Sequence, residues 1–159
     1  MKKNKGTIEN SVADEPYFAR SEAALSSFLG RWCAGTLPKE EWTHAAHLAV
    51  AACYVFDHPA KGALQKIRAG IIHYNACVGT ANTDHSGYHE TLTRFWCGLI
   101  ADFLRTRAFS SRLEFVRAAL NRFGRDSSLF RNYYAFDVVK DVRARREWIA
   151  PDCRAPSKP

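Results

Sequence analysis

The helical pattern of this sequence is clearest in PKEEWTHAAHLAVAACYVFDH, residues 38–58. The apolar side chains in it recur every three or four residues, as on one face of an α-helix. They are Trp42, Ala45, Ala49, Ala52, Cys53 and Phe56, with Leu48 and Val55 widening the stripe. Pro38 suits a first helical turn, and Glu40 and Glu41 suit the positive end of the helix dipole. We therefore expect a helix that begins near Pro38 and ends at His58-Pro59.

The same spacing continues on both sides of this stretch. It predicts helices over residues 17–32, 59–77 and 87–106, the last of them capped by Ser86. A further helix is expected between a cap at Ser110 or Ser111 and a stop at Gly124, followed by shorter pieces over 129–134 and 137–148. No alternating run of β-branched residues predicts a strand. The sequence thus predicts an all-α fold, a single-domain helical bundle of four main helices plus shorter C-terminal helices.

Length and composition favour one helical domain. The chain has 159 residues, 47% of them hydrophobic, which is enough for one core. We expect this domain over residues 15–149, between a disordered N-terminal tail, 1–14, and an extended C-terminal tail, 150–159. Five cysteines without a C-x-x-C pair indicate reduced thiols. No apolar leader and no apolar run of about 18 residues is found, so we expect a cytoplasmic protein with no membrane partner.

Positive charge is concentrated in the last third of the chain. Residues 105–159 contain 13 Lys or Arg and six Asp or Glu, so this third carries the whole net charge of +7. Eleven of these cations are arginines, whose planar guanidinium groups suit phosphate or carboxylate. One interpretation is a site for an anionic ligand or for nucleic acid. The other is a solvated basic face on surface helices.

Four of the six histidines fall into two clusters. His44 and His47 lie one turn apart on the helix predicted from Pro38, while His85, His89 and Glu90 lie near the start of the helix predicted from Gly87. Imidazoles and carboxylates from facing helices are the ligands with which bundles bind Zn, Fe or Mn. These five residues are therefore the candidate ligands of a divalent metal, which would activate water or, if it is iron, bind dioxygen.

A site without metal is also compatible with these residues. An imidazole beside a carboxylate and a tyrosine can transfer protons, and this makes His89, Glu90, His44 and Tyr88 the catalytic candidates. Trp42, Arg94 and Arg131 are the candidate contacts to substrate. The remaining alternative is that the histidines only hydrogen-bond neighbouring groups and hold two helices together.

Two functions follow from these candidates. The first is a metal-dependent or His/Glu acid–base enzyme acting on a small anionic molecule at a His-lined pocket at one end of the bundle. The second is a non-catalytic binding module that uses the Arg-rich last third for nucleic acid or an acidic protein. The sequence selects neither a substrate nor a reaction.

Several motifs resemble a family of small bacterial helical proteins that has no assigned activity. They are Trp42-Thr43-His44-Ala45-Ala46-His47-Leu48, Gly87-Tyr88-His89-Glu90-Thr91-Leu92-Thr93-Arg94-Phe95-Trp96 and Trp148-Ile149-Ala150-Pro151-Asp152. The likeness covers residues 25–155 and departs from the family pattern over 133–140. It implies that His44, His47, His89 and Glu90 act as a unit. A weaker likeness, through His85 and His89, is to DinB-like metal-binding bundles.

Overall fold

The computed structural model describes residues 15–153, and these residues form helices without any strand. The α-helices are α1 (Glu22–Cys33), α2 (His44–Asp57), α3 (Ala60–Cys77), α4 (Glu90–Leu104), α5 (Arg112–Phe123) and the short α6 (Val142–Arg146). Single 3-10 turns cover Tyr17–Ala19, Lys39–Glu41 and Leu129–Tyr133. The all-α prediction is confirmed, although five long helices replace the four main helices expected.

Helix α2 packs against α3, α4 and α5. It can approach these helices closely because Ala46, Ala49 and Ala52 are fully buried and their side chains are single methyl groups. Larger side chains fill the remaining core: Leu25, Phe28, Trp32, Leu48, Ile100, Phe115 and Val116, each at most 1% exposed. Burial of these apolar surfaces is the main stabilising contribution to the fold.

The start of α2 differs from the prediction. The backbone of Thr43 is extended, and its side-chain oxygen accepts a hydrogen bond from the Ala46 N–H at 3.3 Å. Thr43 is thus the N-cap, and Pro38 precedes a separate 3-10 turn. Both histidines of the first cluster therefore lie on the first turn of α2.

The start of α4 also differs. Gly87 has φ +73°, which excludes it from a helix, and a Cβ at this position would overlap backbone and side chain of the loop at Ala81 and Asn82. His89, not Ser86, is the N-cap of α4. A side chain expected to project from the helix instead closes its end.

Other helix boundaries agree better with the sequence. Helix α3 matches the predicted span, and Ser111 caps α5, which ends before Gly124. The first predicted helix is divided, because Ser21 caps α1 and leaves a 3-10 turn before it. The helix predicted over 137–148 is reduced to α6, which Asp141 caps.

The segment after α5 covers the outer side of α4. A second apolar cluster joins Phe95 of α4 to Phe130, Tyr134, Val138 and Ala144. The predicted N-terminal tail lies outside the described residues, and the predicted C-terminal tail is described only as far as Cys153. Within residues 15–153, no helix is both long and apolar enough to cross a membrane.

Candidate functional site

A pocket of about 530 Å³ opens beside the first turn of α2. It is lined mostly by apolar or aromatic residues, which come mainly from α2, α3, α4 and the loop between α3 and α4. The lining includes Trp42, Val50, Ile67, Ile71, Tyr74, Val78, Tyr88, Leu92, Trp96 and Phe130. Polar groups are fewer: Lys39, His44, His47, Asn75, Thr80, His89, Thr93 and Ser127. The size and the sparse polar groups are those of a small-molecule site.

His47 presents a hydrogen-bond acceptor to this pocket. Its Nδ1 lies 2.7 Å from the Thr43 carbonyl oxygen, which can only accept, so Nδ1 carries the proton. Nε2 then has a lone pair, and it makes no hydrogen bond to any residue within 15–153. The imidazole ring packs against Trp42, with ring centroids 3.9 Å apart. The Thr43 carbonyl and the Trp42 ring thus fix both its tautomer and its orientation.

His47 is exposed to solvent, and part of its ring packs against Trp42. Desolvation by the neighbouring protein atoms lowers its pKa to about 4, although the Thr43 hydrogen bond opposes the shift, and His44 adds slightly to it. The imidazole is therefore neutral at physiological pH.

His44 has the opposite tautomer. Its Nε2 donates to the Phe123 carbonyl oxygen at 3.2 Å, which leaves Nδ1 as the acceptor. Partial burial lowers its pKa, while the bond to Phe123 and the charge of Asp126 oppose this. The ring meets Trp96 edge to face, with centroids 4.8 Å apart. The two histidines of α2 thus contribute neutral imidazoles to the same pocket.

His89 lines the pocket, but both of its ring nitrogens are used within the fold. Nδ1 accepts the Leu92 N–H at 3.3 Å, and Nε2 donates to the Val138 carbonyl oxygen at 2.9 Å. Burial lowers the pKa of His89 and so favours this neutral form. Its position between α4 and the C-terminal segment is that of a helix cap and crosslink, not of a metal ligand.

Glu90 lies outside the pocket lining and is only 7% exposed. Its carboxylate accepts from Arg68 of α3, with Nε at 2.9 Å from Oε2, and from the Tyr88 hydroxyl at 2.7 Å. Burial alone would raise the pKa of Glu90, but these two partners hold it below its usual value. The carboxylate is thus an ion-pair partner that joins α3 to α4.

Tyr88 connects this ion pair to the pocket. Its ring lines the pocket, while its hydroxyl donates to Glu90. Burial and the neighbouring carboxylate raise the pKa of Tyr88, so the phenol remains protonated at neutral pH. Tyr88 therefore contributes mainly an aromatic surface.

The other predicted site residues lie elsewhere. Arg94 covers the Trp148 ring, with its guanidinium carbon 4.8 Å from the ring centroid. Arg131 is exposed and lies 3.7 Å from Asp137, and His85 is exposed in the loop before α4. None of these three residues lines the pocket. Of the predicted substrate contacts, only Trp42 does.

The expected metal centre is not formed within residues 15–153, where no group of three or more His, Cys, Asp or Glu side chains is placed to hold a metal ion. The physical reason is that His89 and Glu90 are engaged by backbone groups and by Arg68. His85 is on the loop away from the pocket, which leaves only His44 and His47 of the five candidates.

Sequence reasoning missed several residues of this region. Trp96, Thr93, Asn75, Lys39 and Ser127 line the pocket, but the spacing of Trp96 on α4 indicated only a core position. The sequence did indicate that Glu90 would have a cationic partner, because a carboxylate buried in a helical core requires one. The sequence alone did not reveal which cation.

Many arginines of the last third are engaged by the fold. Arg112 pairs with Glu22 and Asp57, and Arg146 pairs with Asp84. Arg117 donates to the Ala19 carbonyl oxygen at 2.9 Å. Much of the basic charge thus joins the last third to earlier segments.

Comparison with known protein families, curated proteins and solved structures found no match to this chain.

Proposed function

We propose that the chain binds a small, flat, largely apolar molecule in the pocket beside α2 and that His47 Nε2 accepts a hydrogen bond from it. The observation that carries this proposal is the lone pair of His47 Nε2, which has no hydrogen-bond partner within residues 15–153 and belongs to a side chain that lines a mostly apolar pocket. Because His47 is exposed, water can reach this lone pair in the free protein, and a ligand that supplies a donor replaces that water with a direct hydrogen bond beside the apolar walls.

The walls favour an aromatic ligand. Trp42, Tyr88 and Trp96 line the pocket from different elements. Stacked or edge-to-face packing of a ligand ring on such side chains adds to the free energy gained by burying apolar surface. About 530 Å³ lies within the usual range for small-molecule sites.

The protonation state of His47 defines the polar group of the ligand. With a pKa of about 4, His47 accepts hydrogen bonds near pH 7 and offers no charge. Ligands with an O–H or N–H donor therefore fit better than ligands with only acceptors at this point.

Catalysis by the same nitrogen is a second candidate function. The Thr43 carbonyl holds His47 in one orientation, as a hydrogen-bond partner often does for a catalytic general base. Nε2 would then accept the proton of a bound hydroxyl or water. Its low pKa makes it a weak base in the free protein, so binding has the stronger support. Catalysis requires a ligand whose own charge raises this pKa.

The test compares two probes that differ by one donor. We expect 2-naphthol to bind about two- to tenfold more tightly than 2-methoxynaphthalene, since a net hydrogen bond contributes about 0.5–1.5 kcal/mol. In His47→Ala this preference falls to about onefold, because the acceptor is gone. Titration calorimetry at pH 7 measures both affinities.

The matched control is His85→Ala, which removes an exposed imidazole outside the pocket and leaves the preference unchanged. Failure of 2-naphthol to bind at millimolar concentration contradicts the proposal. Equal affinities of both probes for the wild type contradict the role of His47.

Binding of nucleic acid by residues 105–159 has less support, because Arg112, Arg117 and Arg146 already have partners within the fold. Retention of duplex DNA that weakens steeply with salt would favour it, and no retention at low salt would remove it.

A further inference from the structure

We infer that the pocket selects amphipathic anions, with Lys39 at its wall receiving the negative group while the apolar part and a donor lie inside. This inference rests on the proposed function and adds the charge of the ligand, which His47 and His44 cannot determine because both are neutral.

The charges that line the pocket are unbalanced. Lys39 lies in the turn before α2 and is exposed, and no ion pair joins it to any residue within 15–153. Among the described lining residues it is the one lysine or arginine, and no carboxylate lines the pocket there. An anionic group on the ligand therefore finds an attractive partner and no repulsive one.

The acidic neighbours of Lys39 do not cancel this effect. Glu41 is bound by Arg31 at 2.9 Å and by the Tyr17 hydroxyl, and these partners lower its pKa and compensate its charge. Glu40 is exposed, does not line the pocket, and so acts on a ligand only through solvent. It moderates the attraction of Lys39 without removing it.

The two kinds of polar contact then have separate roles. His47 Nε2 accepts from a donor on the ring system, and Lys39 attracts a carboxylate or another anion on the same molecule. An aromatic or largely apolar acid with a hydroxyl or amine meets both requirements. A cationic amphipath meets only the first and is repelled at Lys39.

The test uses 6-hydroxy-2-naphthoate and its neutral analogue 6-hydroxy-2-naphthamide, titrated calorimetrically at pH 7. At low salt the wild type should bind the carboxylate about three- to fivefold more tightly, the range of a solvent-accessible ion pair. In Lys39→Gln the preference falls to about onefold, and in Lys39→Glu it reverses. Salt at about 0.5 M also reduces the wild-type preference.

Two further variants sharpen the result. Lys61→Gln removes an exposed lysine of α3 outside the pocket and should retain the preference. Glu40→Gln removes the one nearby carboxylate without a described partner and should increase it.

The outcomes separate the inference from the proposed function. If both probes bind the wild type equally well and Lys39→Gln changes neither affinity, the anion preference is refuted while the pocket and His47 stand. If neither probe binds, the proposed function fails and the inference fails with it. Circular dichroism shows whether each variant is folded, so that loss of binding by an unfolded variant is not misread.

Discussion

At the scale of single residues, the fold distinguishes histidines that look alike in the sequence. His89 has both ring nitrogens bonded within the protein, whereas His47 has only Nδ1 bonded and presents Nε2 to a pocket. The difference arises from local backbone geometry: an N-cap side chain turns back to the helix end, and a first-turn side chain on α2 projects over Trp42. Identity and spacing alone do not contain this information.

Glu90 and Arg68 form the clearest residue-scale test of stability. Arg68→Met leaves the nearly buried Glu90 carboxylate with only Tyr88 and the more distant Arg94 guanidinium, so we expect a loss of about 1–3 kcal/mol in the free energy of unfolding. The pKa of Glu90 should rise at the same time, because burial is then less opposed. Urea denaturation at pH 7 measures the loss.

The control for this variant is Arg105→Met, which breaks an exposed ion pair with Asp102. It should cost less than about 0.5 kcal/mol. Equal losses in the two variants would show that Arg68 does not compensate a buried charge.

At the scale of helices, caps explain which boundaries the sequence could predict. The Ser111 cap and the Gly124 stop of α5 follow common residue preferences: Ser111 is one of the two caps predicted, and Gly124 is the predicted stop. The starts of α2 and α4 were predicted too early. Their N-caps are Thr43 and His89, and histidine is a residue type seldom considered as an N-cap. The long loop before α4 and its positive-φ Gly87 determine where that helix begins.

The His89 cap is testable in the same way. His89→Ala should lower the free energy of unfolding by about 1–3 kcal/mol, because it removes the acceptor of the Leu92 N–H and the donor to the Val138 carbonyl oxygen. His89→Asn keeps a good capping side chain and should recover part of the loss. Urea denaturation of the three proteins gives the comparison, and a stable His89→Ala would argue against the cap.

At the scale of the whole molecule, the sequence predicted an all-helical fold and the helix whose first turn lines the pocket, but not which polar groups are available there. Residues of the first cluster were correctly grouped because they lie on a single turn of α2. The second cluster was expected to join them as metal ligands, yet Arg68 engages Glu90 and the Val138 carbonyl engages His89, while His85 is exposed in the loop. Such partners follow from packing, which the periodicity of one segment does not specify.

Acid sensitivity is a property of the whole molecule that follows from three histidines. Burial lowers the pKa of His44, His47 and His89, so the unfolded chain, with imidazole pKa values of about 6.5, takes up protons first as the pH falls. The stability that these histidines contribute above pH 6.5 is therefore lost progressively as the pH falls toward their pKa values in the folded protein. For His47 that pKa is about 4.

Between pH 7 and pH 5 we expect the free energy of unfolding to fall by roughly 1–3 kcal/mol. Solvent access to His47 through the pocket makes this loss smaller than full burial would. Urea denaturation at several pH values measures it, and His47→Gln should flatten the dependence. Constant stability over this range would show that the folded histidines titrate normally.

The central claim is that His47 Nε2 is a neutral acceptor that awaits a ligand donor, and long-range ¹H–¹⁵N NMR of the histidines tests it most directly. At pH 7 we predict a His47 with its proton on Nδ1 and with an Nε2 resonance that moves upfield as 2-naphthol saturates the protein. The resonances of the His85 control should not move. A His47 proton on Nε2, or an Nε2 resonance that stays unchanged at saturation, would contradict the account.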